Sequence, residues 1–177
     1  MAVTPPTIRP ASAEDVAAIT AIYAEHVLNG TASFDTVPRS HAATLAKLNE
    51  CLSRHWPFLV AERAGEVLGY AYVTQFRDRP AYEHACENSL YVKASLRGEG
   101  IGAMLLGALV ERAERRGFRQ MVAVVGGGEA ASVAVHLKHG FHHAGRMSSV
   151  GWKFGRWLDT VYMQRALGEG DSTPPDR

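Results

Sequence analysis

The stretch Asn88–Arg116, NSLYVKASLRGEGIGAMLLGALVERAERR, constrains the fold more than any other part of the chain. An apolar, β-rich run (Ser89-Leu90-Tyr91-Val92) turns through Lys93–Leu96 into a glycine-rich segment, Arg97-Gly98-Glu99-Gly100-Ile101-Gly102, which opens a long amphipathic helix. Ile101, Leu105, Ala108, Leu109 and Ala113 recur at spacings of three and four, so they share one helix face. Arg112, Arg115 and Arg116 sit near the C-terminus, where the macrodipole favours cations, and Gly117 supplies the stop. A strand, a glycine turn and a helix start in this order leave free N–H groups pointing outward, which suits an anion such as a phosphate.

Several ligands fit such a turn. Gly98-Glu99-Gly100-Ile101-Gly102-Ala103 formally matches the dinucleotide pattern G-x-G-x-x-A. In that unit, however, the first glycine follows the strand almost directly, whereas here Lys93–Arg97 intervene. A P-loop is excluded, because no glycine in the segment is followed by Lys and Ser or Thr at the required spacing. A glycine-rich connection with no ligand is the plain alternative.

Composition narrows the partners. A chain of 177 residues fits one domain with a real core, and a formal net charge of +1 gives no reason to expect nucleic acid or an anionic membrane. No apolar run is long enough to span a bilayer and the N-terminus lacks a secretory signal, so cytoplasm is the expected location. Cys51 and Cys86 are too few for a disulfide scaffold or a metal quartet. His139, His142 and His143 flank Gly140-Phe141 without a ligand spacing, so no metal is expected.

In chain order, residues 1–6 read as a flexible lead-in and Thr7-Ile8-Arg9 as a short strand. Ser12-x-x-Asp15 resembles a capping box ahead of a helix with Val16, Ile19, Tyr23 and Val27 on one face. Thr31–Arg39 reads as a loop. Ser40 caps a second helix with Leu45, Leu48 and Leu52 inward, broken by His55-Trp56-Pro57. Phe58–Glu62 and Val67–Phe76 form a hairpin, with Gly69 marking a bulge. His84–Val92, Gln120–Val125, and a final pair Phe141–Met147 and Trp157–Leu167 separated by a loop Ser148–Arg156 complete the strands. Glu129–Lys138 is a short helix after Gly126-Gly127-Gly128, and residues 168–177 have the composition of a disordered tail. The order β-αα-βββ-α-β-α-ββ predicts a mixed α/β domain over residues 7–167, with helices on both sides of a central sheet.

Arg97-x-x-Gly100-x-Gly102, after a strand and opening a helix, resembles the pyrophosphate loop of the GCN5-related N-acetyltransferases (GNAT), which bind acetyl-coenzyme A. Within that family the chain is similar to the phosphinothricin and methionine sulfone/sulfoximine acetyltransferases. Thr31–Phe34, Tyr70-Ala71-Tyr72, Arg77, Tyr82, Glu87–Val92, Ser132, His136, Gly140-Phe141 and Lys153–Asp159 carry this likeness. The resemblance implies acetyl-coenzyme A as co-substrate, pantetheine along Leu90, Tyr91 and Val92, and pyrophosphate on Arg97, Gly98, Glu99, Gly100, Ile101, Gly102 and Ala103. It implies Glu87 as the general base and places His136 where many members have a tyrosine acid. The family's usual Asn at the start of the following helix is replaced by Glu129, so Ser132 is expected to share that cofactor contact.

Transfer of an acetyl group to an amine requires deprotonation of the ammonium, stabilisation of charge on the thioester oxygen, and departure of the thiolate. Glu87, ahead of the apolar strand, fits the first role. A backbone N–H of Leu90–Val92 fits the second. His136 fits proton supply or packing. For a small amine acceptor, Arg77 is the expected carboxylate partner and Phe34, Phe76 and Tyr82 the expected walls. Lys153–Asp159 reads as a loop shaping the site or a dimer interface, and the family's habit implies a homodimer. The rival readings are a coenzyme A-binding sensor without catalysis, an acetyltransferase for a polyamine or peptide, and a nicotinamide enzyme.

Overall fold

Strands that are apolar on both faces dictate a sheet covered on both sides. In β3 (Glu66–Gln75) every residue from Val67 to Val73 is buried. Leu68, Ala71 and Val73 join a cluster with Ile101, Leu105, Leu106 and Leu109 of α3 (Ile101–Arg115). Val67, Tyr70 and Tyr72 join a second cluster with α1 (Val16–Asn29) and α2 (His41–Ser53) on the opposite face. The computed structural model describes residues 4–175. Of the flexible segments expected at the ends, residues 1–3 and 176–177 lie outside the described residues.

The remaining elements are β1 (Thr7–Pro10), β2 (Phe58–Arg63), β4 (Ala85–Val92), β5 (Gln120–Gly126), α4 (Ala130–Lys138), β6 (His142–Lys153) and β7 (Arg156–Ala166). The sheet order is β1-β2-β3-β4-β5-β7-β6, antiparallel throughout except for the parallel pair β4/β5. The expected element order holds. The register slip between β2 and β3 falls at Ala61/Glu62, beside Gly69. Among the described residues no helix is long and apolar enough to cross a membrane.

Local signals behaved as their chemistry requires. The Asp15 carboxylate accepts the Ser12 backbone N–H at 2.8 Å and also takes the Arg9 guanidinium at 2.8 Å, so the shorter acid closes the box. Ser40 Oγ accepts the Ala43 N–H at 3.1 Å and caps α2. Two expectations need correction. Leu52 is exposed, because the inward stripe of α2 is Thr44, Leu48 and Cys51. The loop expected over Ser148–Arg156 is instead strand up to Lys153, closed by a two-residue turn, Phe154-Gly155, with φ of 52° and 70°. β6 is an edge strand exposed on both faces over most of its length, so it carries no apolar alternation for a sequence reading to detect.

Candidate active site

Parallel pairing of β4 with β5 runs only from Ala85↔Gln120 to Asn88↔Ala123. Beyond it Ser89–Val92 stay with β3, and Val124–Gly126 stay with β7. The two strands part, and the sheet opens into a wedge. Two hollows of about 300 and 360 Å³ meet there, sharing Ala32, Leu90 and Ser132 on their walls.

The larger hollow is built on the glycine loop. Leu90, Val92, Arg97, Gly98, Gly100, Ile101, Gly102, Ala103, Glu129 and Ser132 all line it, as expected of a cofactor groove. Gly100 is the N-cap of α3, and Gly98 and Gly100 hold φ of +86° and +82°, a left-handed backbone that side-chain-bearing residues rarely adopt. Space at both positions is open, so a ligand can come against the backbone itself. The N–H groups of Ile101, Gly102 and Ala103 precede the first donor of the helix, Met104, which bonds to the Gly100 carbonyl at 3.1 Å. An elongated thioester cofactor carrying a pyrophosphate fits this set: amides and a helix terminus for the anion, an apolar strand for the arm. Arg97 Nη1 stands 3.8 Å from Glu129 Oε1 across the rim, offsetting a carboxylate next to an anion site. Two expected members lie elsewhere. Glu99 turns out to Arg63 at 3.2 Å, and Tyr91 points through the sheet into the aromatic cluster of Tyr23 and Tyr70. Strand alternation sends Tyr91 to the face opposite Leu90 and Val92.

The smaller hollow holds Glu87, Asn88, Phe34, Arg39 and His136 among its walls. Burial pushes the Glu87 carboxyl up, opposed by the Arg77 guanidinium 3.8 Å away. Glu87, Ser89 and Tyr91 share one face of β4, while Asn88 and Leu90 share the other, so the wedge joins the two sides of the sheet. On the α4 side, His136 Nδ1 lies 2.7 Å from the Ser132 carbonyl, which only accepts; Nδ1 therefore carries the proton. Burial lowers the His136 pKa, so the ring is neutral and Nε2 offers a lone pair. Asn88 Oδ1 lies 3.2 Å from Nε2, an acceptor facing a lone pair, so the contact becomes a hydrogen bond when the amide is turned over to present its NH₂ there.

The 30–39 loop forms the other wall. The buried ammonium of Lys153 donates to the carbonyls of Gly30 (2.9 Å) and Ser33 (2.8 Å), tying the loop to the β6 tip. Phe34 packs over Gly151 and Gly126 so closely that a Cβ at either glycine would collide with its ring. Tyr23 Oη donates to Asp35 Oδ2 at 2.5 Å and lies 2.9 Å from Ser33 Oγ; burial first, then the Asp35 contact, pushes the phenol up to about 12.

The structure takes Phe76 and Tyr82 out of this hollow. They form an edge-to-face pair, centroids 5.7 Å apart, in a separate depression with Ala85 and Met147. The cause is register: Gln75 pairs with Cys86, so Phe76 falls opposite Ala85, at the end of β4 remote from the wedge. Arg77 reaches Glu87 but does not line the hollow; its guanidinium folds back over Phe76 at 4.2 Å. Arg39 was given no function by the sequence, and Asn88 and Lys153 entered only as members of the segments Glu87–Val92 and Lys153–Asp159, with no contact assigned to either side chain.

Residues 8–162 match the family model for an acetyltransferase (GNAT) domain. A phosphinothricin N-acetyltransferase from Alcaligenes faecalis is 47% identical over 171 residues, covering 96% of this chain and 87% of that protein. An L-methionine sulfoximine/L-methionine sulfone acetyltransferase from Pseudomonas paraeruginosa is 41% identical over 169 residues, covering 95% and 98%. The crystal structure of a phosphinothricin acetyltransferase from Sinorhizobium meliloti in complex with acetyl-coenzyme A superposes with a TM-score of 0.96 at 44% identity, covering 98% of this chain and 95% of that one. With its split β4/β5 pair, its glycine loop and these relatives, the chain belongs to the GNAT family of N-acetyltransferases.

Proposed function

We propose that this enzyme transfers the acetyl group of acetyl-coenzyme A directly to the α-amine of a small amino acid or analogue, of the phosphinothricin or methionine sulfone/sulfoximine type. The observation that carries the reading is Glu87: a half-buried carboxylate with a raised pKa, in a small hollow that opens onto the cofactor groove. Glu87 takes the proton of the acceptor ammonium, directly or through one water, and its raised pKa makes it a better base than an exposed carboxylate. A backbone N–H of Leu90–Val92, on the strand edge freed from β5, receives the developing oxyanion. His136 acts as a positioning residue: its proton is committed to Ser132, so it holds Asn88 at the junction of the two hollows. Phe34 walls the acceptor side.

Acetyl-coenzyme A supplies the activated acetyl group when bound; the groove of Leu90, Val92, Gly98, Gly100–Ala103, Glu129 and Ser132 holds it. A homodimer completes this reading, since Trp152, Phe154 and Trp157 are 58%, 54% and 61% exposed at the β6–β7 tip, an unusual concentration for a solvent-facing hairpin. The buried thiols of Cys51 and Cys86 fit a reducing, cytoplasmic setting.

The test is thiol release from acetyl-coenzyme A across L-amino acids, methionine sulfone, methionine sulfoximine, phosphinothricin and simple polyamines. Saturable release with carboxylate-bearing amines supports the reading. Release with polyamines alone replaces the acceptor class, and silence with cofactor still bound favours a sensor.

A further inference from the structure

We infer that Arg39 holds the carboxylate of the acceptor and so sets the enzyme's preference for amino acids over simple amines. The inference rests on the amino-acid acetyltransferase reading above. Arg39 is the guanidinium that lines the acceptor hollow, on the same side of the sheet as Glu87. Tyr72, its hydrogen-bond partner, pairs across the sheet with Ser89, two residues along β4 from Glu87. Two residues of strand span about 7 Å. With Arg39 and Glu87 lining one hollow, an α-amino acid placed there turns its amine toward Glu87 and its carboxylate toward Arg39.

The guanidinium is fixed but little used. Its plane lies 4.3 Å from the Tyr23 ring centroid, and Nη1 donates to Tyr72 Oη at 3.3 Å. Its nearest carboxylate, Asp35, stays at 3.8 Å, beyond hydrogen-bond reach, and Oδ2 accepts from the Tyr23 hydroxyl at 2.5 Å. Of the five N–H donors of an arginine, most are therefore unspent and face a hollow walled on one side by aromatic rings. A half-buried, stacked guanidinium with free donors matches a carboxylate bidentately and loses little side-chain freedom in doing so. Arg77 is placed differently. It is half-exposed, donates to the Phe76 carbonyl at 3.0 Å, and stands outside the hollow.

The experiment compares kcat/KM for L-methionine sulfone with that for its decarboxylated amine, 3-(methylsulfonyl)propan-1-amine, in wild type, Arg39→Met, Arg39→Lys and Arg77→Ala. The wild type is expected to prefer the amino acid, and equal rates with the two compounds would overturn the inference. Arg39→Met is expected to cut that preference by about tenfold or more, the worth of a charge-assisted contact, with KM for acetyl-coenzyme A unchanged. Arg39→Lys keeps the charge without the fork and falls between; it also carries the test if Arg39→Met does not fold by circular dichroism. Arg77→Ala keeps the preference. An undiminished preference in the Arg39 variants, or its loss in Arg77→Ala alone, overturns the inference and leaves the acetyltransferase reading standing. A wild type that acetylates neither compound overturns both.

Discussion

The carboxylate of Glu87 stands 3.8 Å from the guanidinium of Arg77, too far for a hydrogen bond and close enough to act on its charge. Burial raises the Glu87 pKa and Arg77 lowers it, with burial the larger influence. A base must be ionised to act, so kcat/KM should fall as pH drops through a value above the ordinary carboxylate range near about 4.3. Arg77→Ala removes the lowering influence and should move this acid limb to higher pH. A limb that stays in place, or moves the other way, would show that Glu87 is not the titrating base.

His136 gives a contrasting expectation. Its Nδ1 proton is held by the Ser132 carbonyl at 2.7 Å, and burial keeps the ring neutral. A neutral ring that donates no proton in the reaction contributes no basic limb to the rate profile. His136→Gln should retain the wild-type pH dependence and lose less than about tenfold in kcat, well short of the loss of a general acid. His136→Ala should cost about 1–3 kcal/mol of stability by leaving the buried Asn88 amide without a partner. Disappearance of a basic limb in the Gln variant would restore the acid role.

Phe34 and Gly151 occupy one another's space. A Cβ at residue 151 would meet the Phe34 ring at a distance no real contact sustains. Gly151→Ala should therefore destabilise the protein by about 1–3 kcal/mol through overpacking, and raise KM for the acceptor by displacing a wall of the hollow. Adding Phe34→Ala should recover the stability but not the acceptor KM. Additive losses in chemical denaturation would contradict the contact.

Lys153 reaches across 120 residues of sequence to the Ser33 carbonyl. Lys153→Met leaves the Gly30 and Ser33 carbonyls unmatched and should cost about 1–3 kcal/mol. Hydrogen exchange should show faster opening of the 30–35 loop, with the α3 amides unaffected. Equal protection of the loop in both proteins would remove the fastening role.

The order of elements, the helix starts and the glycine loop were readable because each rests on contacts within a few residues: Ser12 with Asp15, Ser40 with Ala43, Gly100 with the first turn of α3. Leu52 was misassigned because Leu45, Leu48 and Leu52 follow helical spacing as well as the true inward set does. The final strand pair was readable, but the continuation of β6 through Ser148–Lys153 was hidden by exposure on both faces and by a phenylalanine in a left-handed turn, a conformation that composition does not announce. In the site, Glu87 and the groove glycines followed from their place beside one strand. The contacts of Arg39 and Lys153 could not be found that way, since they exist only once a loop and a distant hairpin are folded against Tyr23 and Ser33. Phe76 and Tyr82 failed for the converse reason: proximity in sequence to Arg77 did not place them at the wedge.

The most direct measurement is a paired one on Glu87→Gln: turnover with L-methionine sulfone or phosphinothricin, and acetyl-coenzyme A affinity by calorimetry. Glu87 lines the smaller hollow and not the one built on the glycine loop. Turnover is expected to fall by about 10²-fold or more, within the range of general-base removal, while cofactor affinity stays at the wild-type value. Wild-type turnover in Glu87→Gln, or an equal loss of both quantities, would contradict the assignment of Glu87 as the base.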